Sequence, residues 1–391
     1  MKKKLTFAAV AFMSTAVLVA CGAAPGSSSS NAEGTKVGDT LKVGLNFEST
    51  GDVSAYGNAG KNGAQLAIDE INKDGGVDGK KIKAFVKDNK SDNSEAATVT
   101  TNLTTESEVN AIVGPMVSSA VASASPNAEK AAVPLVAPAA TQDDLTVDKD
   151  GKTRPYMFRT TFIDSYQGEA ISKFATDELK AEKVVLYYDN SSDYAKGIAK
   201  EFKKQYKGEI VNESTFQAKD TDFQSALTKF KDADFDAVVM PGYYQEVGTI
   251  IKQAREMGID APIVGPDGFA DDKLVELAGA KNASDVYYIS GYSTKSSDKA
   301  ADFAKAYKEK YGEEPSMFAA LGYDSVYMVA DAAEGAKNSA EIAKNLAKTK
   351  DFEGVTGTMT IDKKHNPVKS VSVVGLTDGK ESSATVVEAD K

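Results

Sequence analysis

The chain has 391 residues, 46 Lys and Arg against 57 Asp and Glu, and a net charge of −11 at pH 7. That acid excess argues against nucleic acid or anionic lipid as the main partner, while one cysteine allows no internal disulfide and one histidine leaves no material for Ser-His or Cys-His catalysis or the common zinc sites. Stability must come from buried apolar surface, and the chain is long enough that two domains are expected.

Lys2, Lys3 and Lys4 precede residues 5–20, which carry no charge, and Leu18-Val19-Ala20-Cys21-Gly22 closes the run. A basic start, a short apolar stretch and small residues before the break are the grammar of a secretory signal peptide, and the run is too short for a comfortable membrane span. Cys21 directly after Leu-x-Ala resembles a bacterial lipobox. Residues 1–20 are therefore expected to be a lipoprotein signal peptide and Cys21 the lipidated first residue of the mature chain; the alternative is an ordinary signal followed by a chance cysteine. Removing 1–20 takes away three lysines and no acid, which leaves a net charge of −14. Ser27-Ser28-Ser29-Ser30-Asn31 reads as flexible, so 21–38 is expected to be a tether. The expected location is the outer face of the cell membrane, held there by lipid.

Short β-rich runs then alternate with longer helical patterns. Strands are expected at 41–46, 82–86, 111–113 and 135–137, with helices at 59–72 and 94–105 and one starting near Ser118. Asp74-Gly75-Gly76 is a glycine stop for the first helix. After Arg159 the pattern restarts: helix 169–179, strand 184–188, helix 194–206, strand 210–215, helix 226–230, strand 237–240, helix 247–257 and strand 263–265. A strand begins at Val286, followed by helices at 300–311, 318–334 and 340–346. Strands 358–361 and 371–376 close the chain, joined by a polar turn containing His365, which reads as a solvated turn residue. Alternation of this kind gives doubly wound α/β sheets, and two successive series give two such lobes.

Ligands bind outside the carboxyl ends of strands in open sheets, so the loops after the strands matter most. They contain Tyr56, Met116, Val117, Ser118, Ala139, Ala140, Thr141, Tyr194, Tyr243 and, in Gly265-Pro266-Asp267-Gly268, one carboxylate. Ser118 and Thr141 at helix starts, with free N–H groups, can hold an anion, or they are simply helix caps. Asp267 can face a cation, or bond its own turn. The tyrosines, with Met116 and Val117, supply an apolar wall or else ordinary packing. An anion site, a cation site and an apolar wall together describe an α-amino acid with a hydrophobic side chain. No Gly-x-Ser-x-Gly elbow is present, and Gly375-Leu-Thr-Asp-Gly379-Lys380-Glu381 is one residue short of a phosphate loop.

Val43-Gly-Leu-Asn with Tyr56-Gly57, the run from Gly63-Ala64 to Gly75-Gly76-Val77, Pro138-Ala139-Ala140-Thr141, Tyr166-Gln167-Gly168 and Gly265-Pro266-Asp267-Gly268 occur in a fixed order. This ordered set resembles the branched-chain amino-acid (Leu/Ile/Val) binding lipoproteins of ABC transporters, which are type I solute-binding proteins, over residues 39–376. The resemblance implies two Rossmann-like lobes joined by a three-stranded hinge, the type I periplasmic-binding-protein fold. Lobe 1 would be 39–158 with 291–355, lobe 2 would be 159–290 with 356–391, and the crossings would lie near Arg159, Ser290 and Thr356. It further implies that Ser118 and Thr141 bind the ligand carboxylate and that backbone groups of Ala139 and Thr141 share the carboxylate and ammonium, with Ala140 also among the ligand-binding residues. Asp267 would pair with the ammonium, while Tyr56, Met116, Val117, Tyr194, Tyr243 and Phe318 would enclose the side chain. Where family members carry Glu in the Gly-Pro-x-Gly turn, this chain has Asp267. The implied partners are leucine, isoleucine or valine and the permease subunits, with no nucleic acid, metal or cofactor, no catalysis, and a monomer held to the membrane only by its lipid. Two other readings are the same fold with another small solute, such as an amide or urea-like compound, and a lipid-anchored α/β enzyme.

Overall fold

The computed structural model describes residues 33–387; the expected signal peptide, Cys21 and residues 21–32 of the expected tether lie outside them. The first series runs β1 (Leu41–Phe47), α1 (Ser54–Lys73), β2 (Ile82–Asp88), α2 (Asn93–Thr105), β3 (Ala111–Val113), α3 (Ser118–Lys130), β4 (Leu135–Ala137) and β5 (Met157–Arg159). The second runs α4 (Asp164–Asp177), β6 (Lys183–Asp189), α5 (Asp193–Gln205), β7 (Glu209–Phe216), α6 (Gln224–Thr228), β8 (Ala237–Val239), α7 (Tyr244–Glu256), β9 (Ile263–Gly265), a 3-10 turn (Asp267–Phe269), α8 (Asp272–Ala278) and β10 (Val286–Ser290). Then follow α9 (Asp298–Tyr311), α10 (Met317–Ala333), α11 (Ser339–Leu346), β11 (Phe352–Gly354), β12 (Gly357–Ile361), β13 (Pro367–Val368), β14 (Val371–Thr377) and β15 (Lys380–Val387).

The first sheet is parallel throughout, in the order β2-β1-β3-β4-β5. The second repeats that order as β7-β6-β8-β9-β10 and adds β14 and β15 as an antiparallel edge. Both sheets therefore change winding direction beside their first strand, β1 or β6. In each, the loops after that strand and after the third face one crevice. Strands β3, β4, β8 and β9 are buried at every position. They are short apolar runs because helices cover both faces of a parallel sheet.

α10 comes late in the chain but packs on α1 of the first sheet. A Cβ at Gly63 would lie 1.9 Å from Ala319 O, and one at Gly322 would lie 2.2 Å from Gly60 O. Only glycine lets these helices approach so closely. Buried Asp324 on α10 accepts from Val355 N at 2.8 Å and from Thr356 N and Oγ1 at 2.9 and 2.6 Å. It thereby holds the segment that leads into the small sheet β11-β12-β13.

The expected turn at His365 is present, but it joins β12 to β13 of that small sheet and is not solvated. β12 pairs with β13, whereas β14 joins the large sheet between β10 and β15. His365 is only 8% exposed. Its ring stacks on Phe158 at 4.1 Å and Nδ1 lies 3.0 Å from Met157 O. The turn's backbone is satisfied by Asp362 Oδ1, which accepts from Lys364 N and Asn366 N at 2.8 Å. With the turn closed that way, a positive φ of 62° turns the imidazole inward. Burial holds its pKa below the ordinary value.

Candidate ligand-binding site

The crevice holds a small, nearly closed cavity with about 10 Å³ of free volume. Larger hollows lie beside it, one bordered by Asp271, Tyr288 and Glu314, and one, sharing Val117, Tyr194 and Tyr243 with it, by Asp52, Asp92 and Asp189. The small cavity is the one lined by Asp267, Ser118, Thr141 and the apolar residues Tyr56, Met116 and Phe318.

Its first face comes from loops of the first sheet. Gly114 leaves β3 with φ of +95°, where a Cβ would lie 2.0 Å from Asn46 O. The next residues fold over Glu48, which is fully buried and accepts from Met116 N at 3.1 Å and Val117 N at 3.3 Å. Burial pushes the Glu48 carboxyl up to about 7, with those N–H bonds pulling the other way. Val117, not Ser118, is the N-cap of α3, and no side chain caps that helix. The N–H groups of its first turn have no intrahelical acceptor and sit at the positive end of the dipole. Ser118 Oγ accepts from Gln142 N at 3.2 Å. Thr141 is not at a helix start, contrary to expectation: it sits in the loop between β4 and β5, fully buried.

The second face comes from the other sheet. Asp267 opens the 3-10 turn after β9 and is 3% exposed. Its Oδ1 accepts from Tyr194 OH at 2.6 Å, and its N donates to Gln167 Oε1 at 2.9 Å. Burial pushes Asp267 up to about 6, moderated by the hydrogen bonds from Tyr194 and Gln167. The Asp267 side chain is thus held by a phenol and aimed at the cavity. Tyr194 stands in the first turn of α5, stacked on Tyr243 at 4.9 Å and 8°. Gly268 N donates to Tyr194 OH at 3.0 Å.

Tyr56 on α1 joins the two faces. Its hydroxyl donates to Gly268 O at 2.5 Å and accepts from Tyr244 N at 3.1 Å. Its ring lies 4.2 Å from Phe318, at the start of α10. Met116 and Val117 complete the apolar wall, and Ala139 lines the polar side. The sequence-predicted residues therefore converge on one cavity, with one exception. Ala140 is off the wall, and its carbonyl accepts from Arg159 Nη1 at 2.9 Å. Gly268 lines the cavity as well. It was missed because it contributes backbone, not a side chain. Glu48, Gln167 and Asp164 were missed because they act one layer back. Gln167 did stand in the Tyr166-Gln167-Gly168 motif, which was the one available signal. No described group of His, Cys, Asp and Glu residues is arranged to hold a metal ion.

A family model of periplasmic binding proteins matches residues 40–381. The leucine-, isoleucine-, valine-, threonine- and alanine-binding protein of Pseudomonas aeruginosa is 29% identical over 334 residues, 83% of this chain and 87% of that protein. The branched-chain amino acid transporter substrate binding protein LivJ of Streptococcus pneumoniae, solved with isoleucine, is 58% identical with a TM-score of 0.87, over 90% of this chain and all of that one. The leucine binding protein LivK of Thermotoga maritima is 31% identical with a TM-score of 0.83, over 89% of this chain and 99% of that one. The chain therefore belongs to the periplasmic binding protein family, among the branched-chain amino-acid substrate-binding proteins of ABC transporters.

Proposed function

We propose that this protein captures leucine, isoleucine or valine between its lobes and delivers it to the permease of an ABC importer. One observation carries the reading: a single cavity sets buried Asp267 opposite the uncapped first turn of α3, across an apolar wall. A zwitterion satisfies both ends at once. Ser118, Thr141 and the first N–H groups of α3 take the carboxylate. Asp267, with backbone groups around Ala139 to Thr141, takes the ammonium. Tyr56, Met116, Val117, Tyr194, Tyr243 and Phe318 surround the side chain.

Each charge-assisted hydrogen bond in such a site contributes about 1.5–3 kcal/mol. Burying a leucine-sized side chain adds a further ~1.5–3 kcal/mol. After the cost of association, micromolar or tighter affinity follows. Because the ligand touches both faces, it stabilises the closed arrangement over the open one. The lobe boundaries near Arg159, Ser290 and Thr356 belong to this proposal, as do removal of residues 1–20, lipidation of Cys21, attachment to the outer face of the cell membrane and action as a monomer. No described helix is long and apolar enough to cross a membrane.

Calorimetric titration against the twenty amino acids tests the ligand, with heat expected for leucine, isoleucine and valine alone. Silence across the panel overturns that choice and directs the search to amides and other small solutes. Incorporation of labelled fatty acid, lost in Cys21→Ser, tests the anchor.

A further inference from the structure

Behind the ammonium end of the cavity lies a second acid with no role so far. Asp164 opens α4 and is 2% exposed. Its N donates to Thr141 O at 2.9 Å, which ties the start of α4 to the cavity wall. Its Oδ1 is in long contact with Gln167 Nε2 at 3.5 Å. Gln167 is fully buried, and its Oε1 accepts from Asp267 N at 2.9 Å. One amide side chain therefore links the Asp164 carboxyl, just behind the cavity, to the backbone N–H of Asp267 on its wall. Thr141 Oγ1, buried on the wall beside them, serves the Asp164 carboxyl and favours its charged form.

The groups facing Asp164 come from every element around it. Arg159 at the end of β5 is the one cation, and its guanidinium already donates to Ala140 O and Gln142 O at 2.9 and 2.8 Å. Asp143 in the turn beyond Thr141 and Asp267 after β9 are acids. The phenols of Tyr194 on α5 and Tyr243 before α7 complete the set. Two buried acids, Asp164 and Asp267, thus share one buried cation, with Asp143 at the exposed edge.

With one guanidinium, already engaged by two backbone carbonyls, to offset two buried carboxylates, a net negative charge is left in a low-dielectric space, which favours retention of one proton by the pair. We propose that, in the empty site, Asp164 and Asp267 together retain a proton, and that the ligand's ammonium displaces it to solvent, with Asp164 acting through Gln167 and Thr141 as a positioning residue of the ammonium end. The inference rests on the amino-acid reading given above. Burial first, then the neighbouring acids, pushes Asp164 well above the ordinary carboxylate range, in keeping with that geometry. No covalent bond changes: one carboxyl O–H proton passes to water as one ammonium arrives. A neutral solute, or an organic acid without an amine, leaves the proton in place, so its binding releases none.

The sign is fixed. Because binding releases a proton, affinity rises with pH until the empty pair is ionised, by up to about tenfold per pH unit. The test is calorimetric titration of the whole protein with leucine at pH 6, in two buffers of different ionisation enthalpy. Release of about half to one proton per leucine is expected. Leucine binding with no proton released overturns the inference and leaves the amino-acid reading intact. Absence of leucine binding in either buffer overturns both. In Asp164→Asn, binding is expected to survive with roughly tenfold weaker affinity, with proton release at least halved and a flattened profile of Kd between pH 5 and 7. Wild-type release and slope in that variant overturn the role of Asp164. If the variant does not fold, the wild-type proton count decides alone.

Discussion

The two faces of the cleft are built from different materials. The first-lobe face is mostly main chain: the opening turn of α3 and the loop after β4, with small hydroxyls from Ser118 and Thr141. It is propped from beneath by Glu48, which accepts two N–H groups of the approach to α3. The second-lobe face is mostly side chain, with one acid held by a phenol and an amide. A wall made of backbone spreads its work over several groups and survives the loss of any one. A wall made of one carboxylate does not. The two faces should therefore respond very differently to single substitutions.

The largest effect is expected at Asp267. Asp267→Ala removes the one wall carboxylate and should weaken leucine at least ~100-fold, the equivalent of about 3 kcal/mol, while the circular dichroism spectrum and melting transition stay native. Near-normal leucine affinity in that variant would sink the assignment of the ammonium end. Next comes Tyr56→Phe, which leaves Gly268 O and Tyr244 N without their cross-lobe partner. Its leucine Kd should rise about tenfold, and small-angle scattering of the empty protein should show a more open average form. Unchanged scattering and affinity would mean that the hydroxyl does not hold the faces together.

Ser118→Ala should be milder, about tenfold or less on leucine, with leucinamide, which lacks the carboxylate, little changed. An equal loss for both ligands would show that Ser118 serves only Gln142 N. The smallest expected effect is on stability. Burial raises the Glu48 pKa to about 7 from its ordinary 4.5, so its favourable contribution is complete below about 4.5 and is lost as pH rises through 7. Asp267 at about 6 behaves in the same sense, whereas buried His365 opposes them as pH falls below its unfolded value. Glu48→Gln keeps an acceptor for the two N–H groups without the charge. Its melting temperature relative to wild type should be higher at pH 8 than at pH 5; a difference that is constant with pH would contradict the buried-carboxyl account.

Much of this was legible in the sequence where one local pattern dominated. The apolar runs of β3, β4 and β9 fall where they were expected, because a central parallel strand is hydrophobic on both faces. Helix starts were placed late in α1 and α4, whose first turns hold polar and small residues that periodicity does not mark. β15 was missed because Lys380–Val387 is an exposed edge strand with no apolar face. α8 was missed because seven residues are too few to show a period. His365 was misread because its polar neighbours made the turn look solvated, whereas the stacking partner Phe158 lies far away in sequence.

The cavity residues themselves were legible because topology assigns them to loops after strands, so that chemistry could be read locally. The supporting layer was not. Gln167 bonds to a backbone 100 residues away, and Glu48 to N–H groups 68 and 69 residues away. Only the folded chain brings those partners together.

The most direct test is a calorimetric comparison of leucine with its two single-charge analogues, 4-methylpentanoate and 3-methylbutylamine. If each face reads one charge, leucine binds at micromolar affinity or tighter and each analogue binds at least ~100-fold more weakly, by the same two-bond arithmetic. An analogue that binds as tightly as leucine would show that one face reads no charge, and would contradict the zwitterion site.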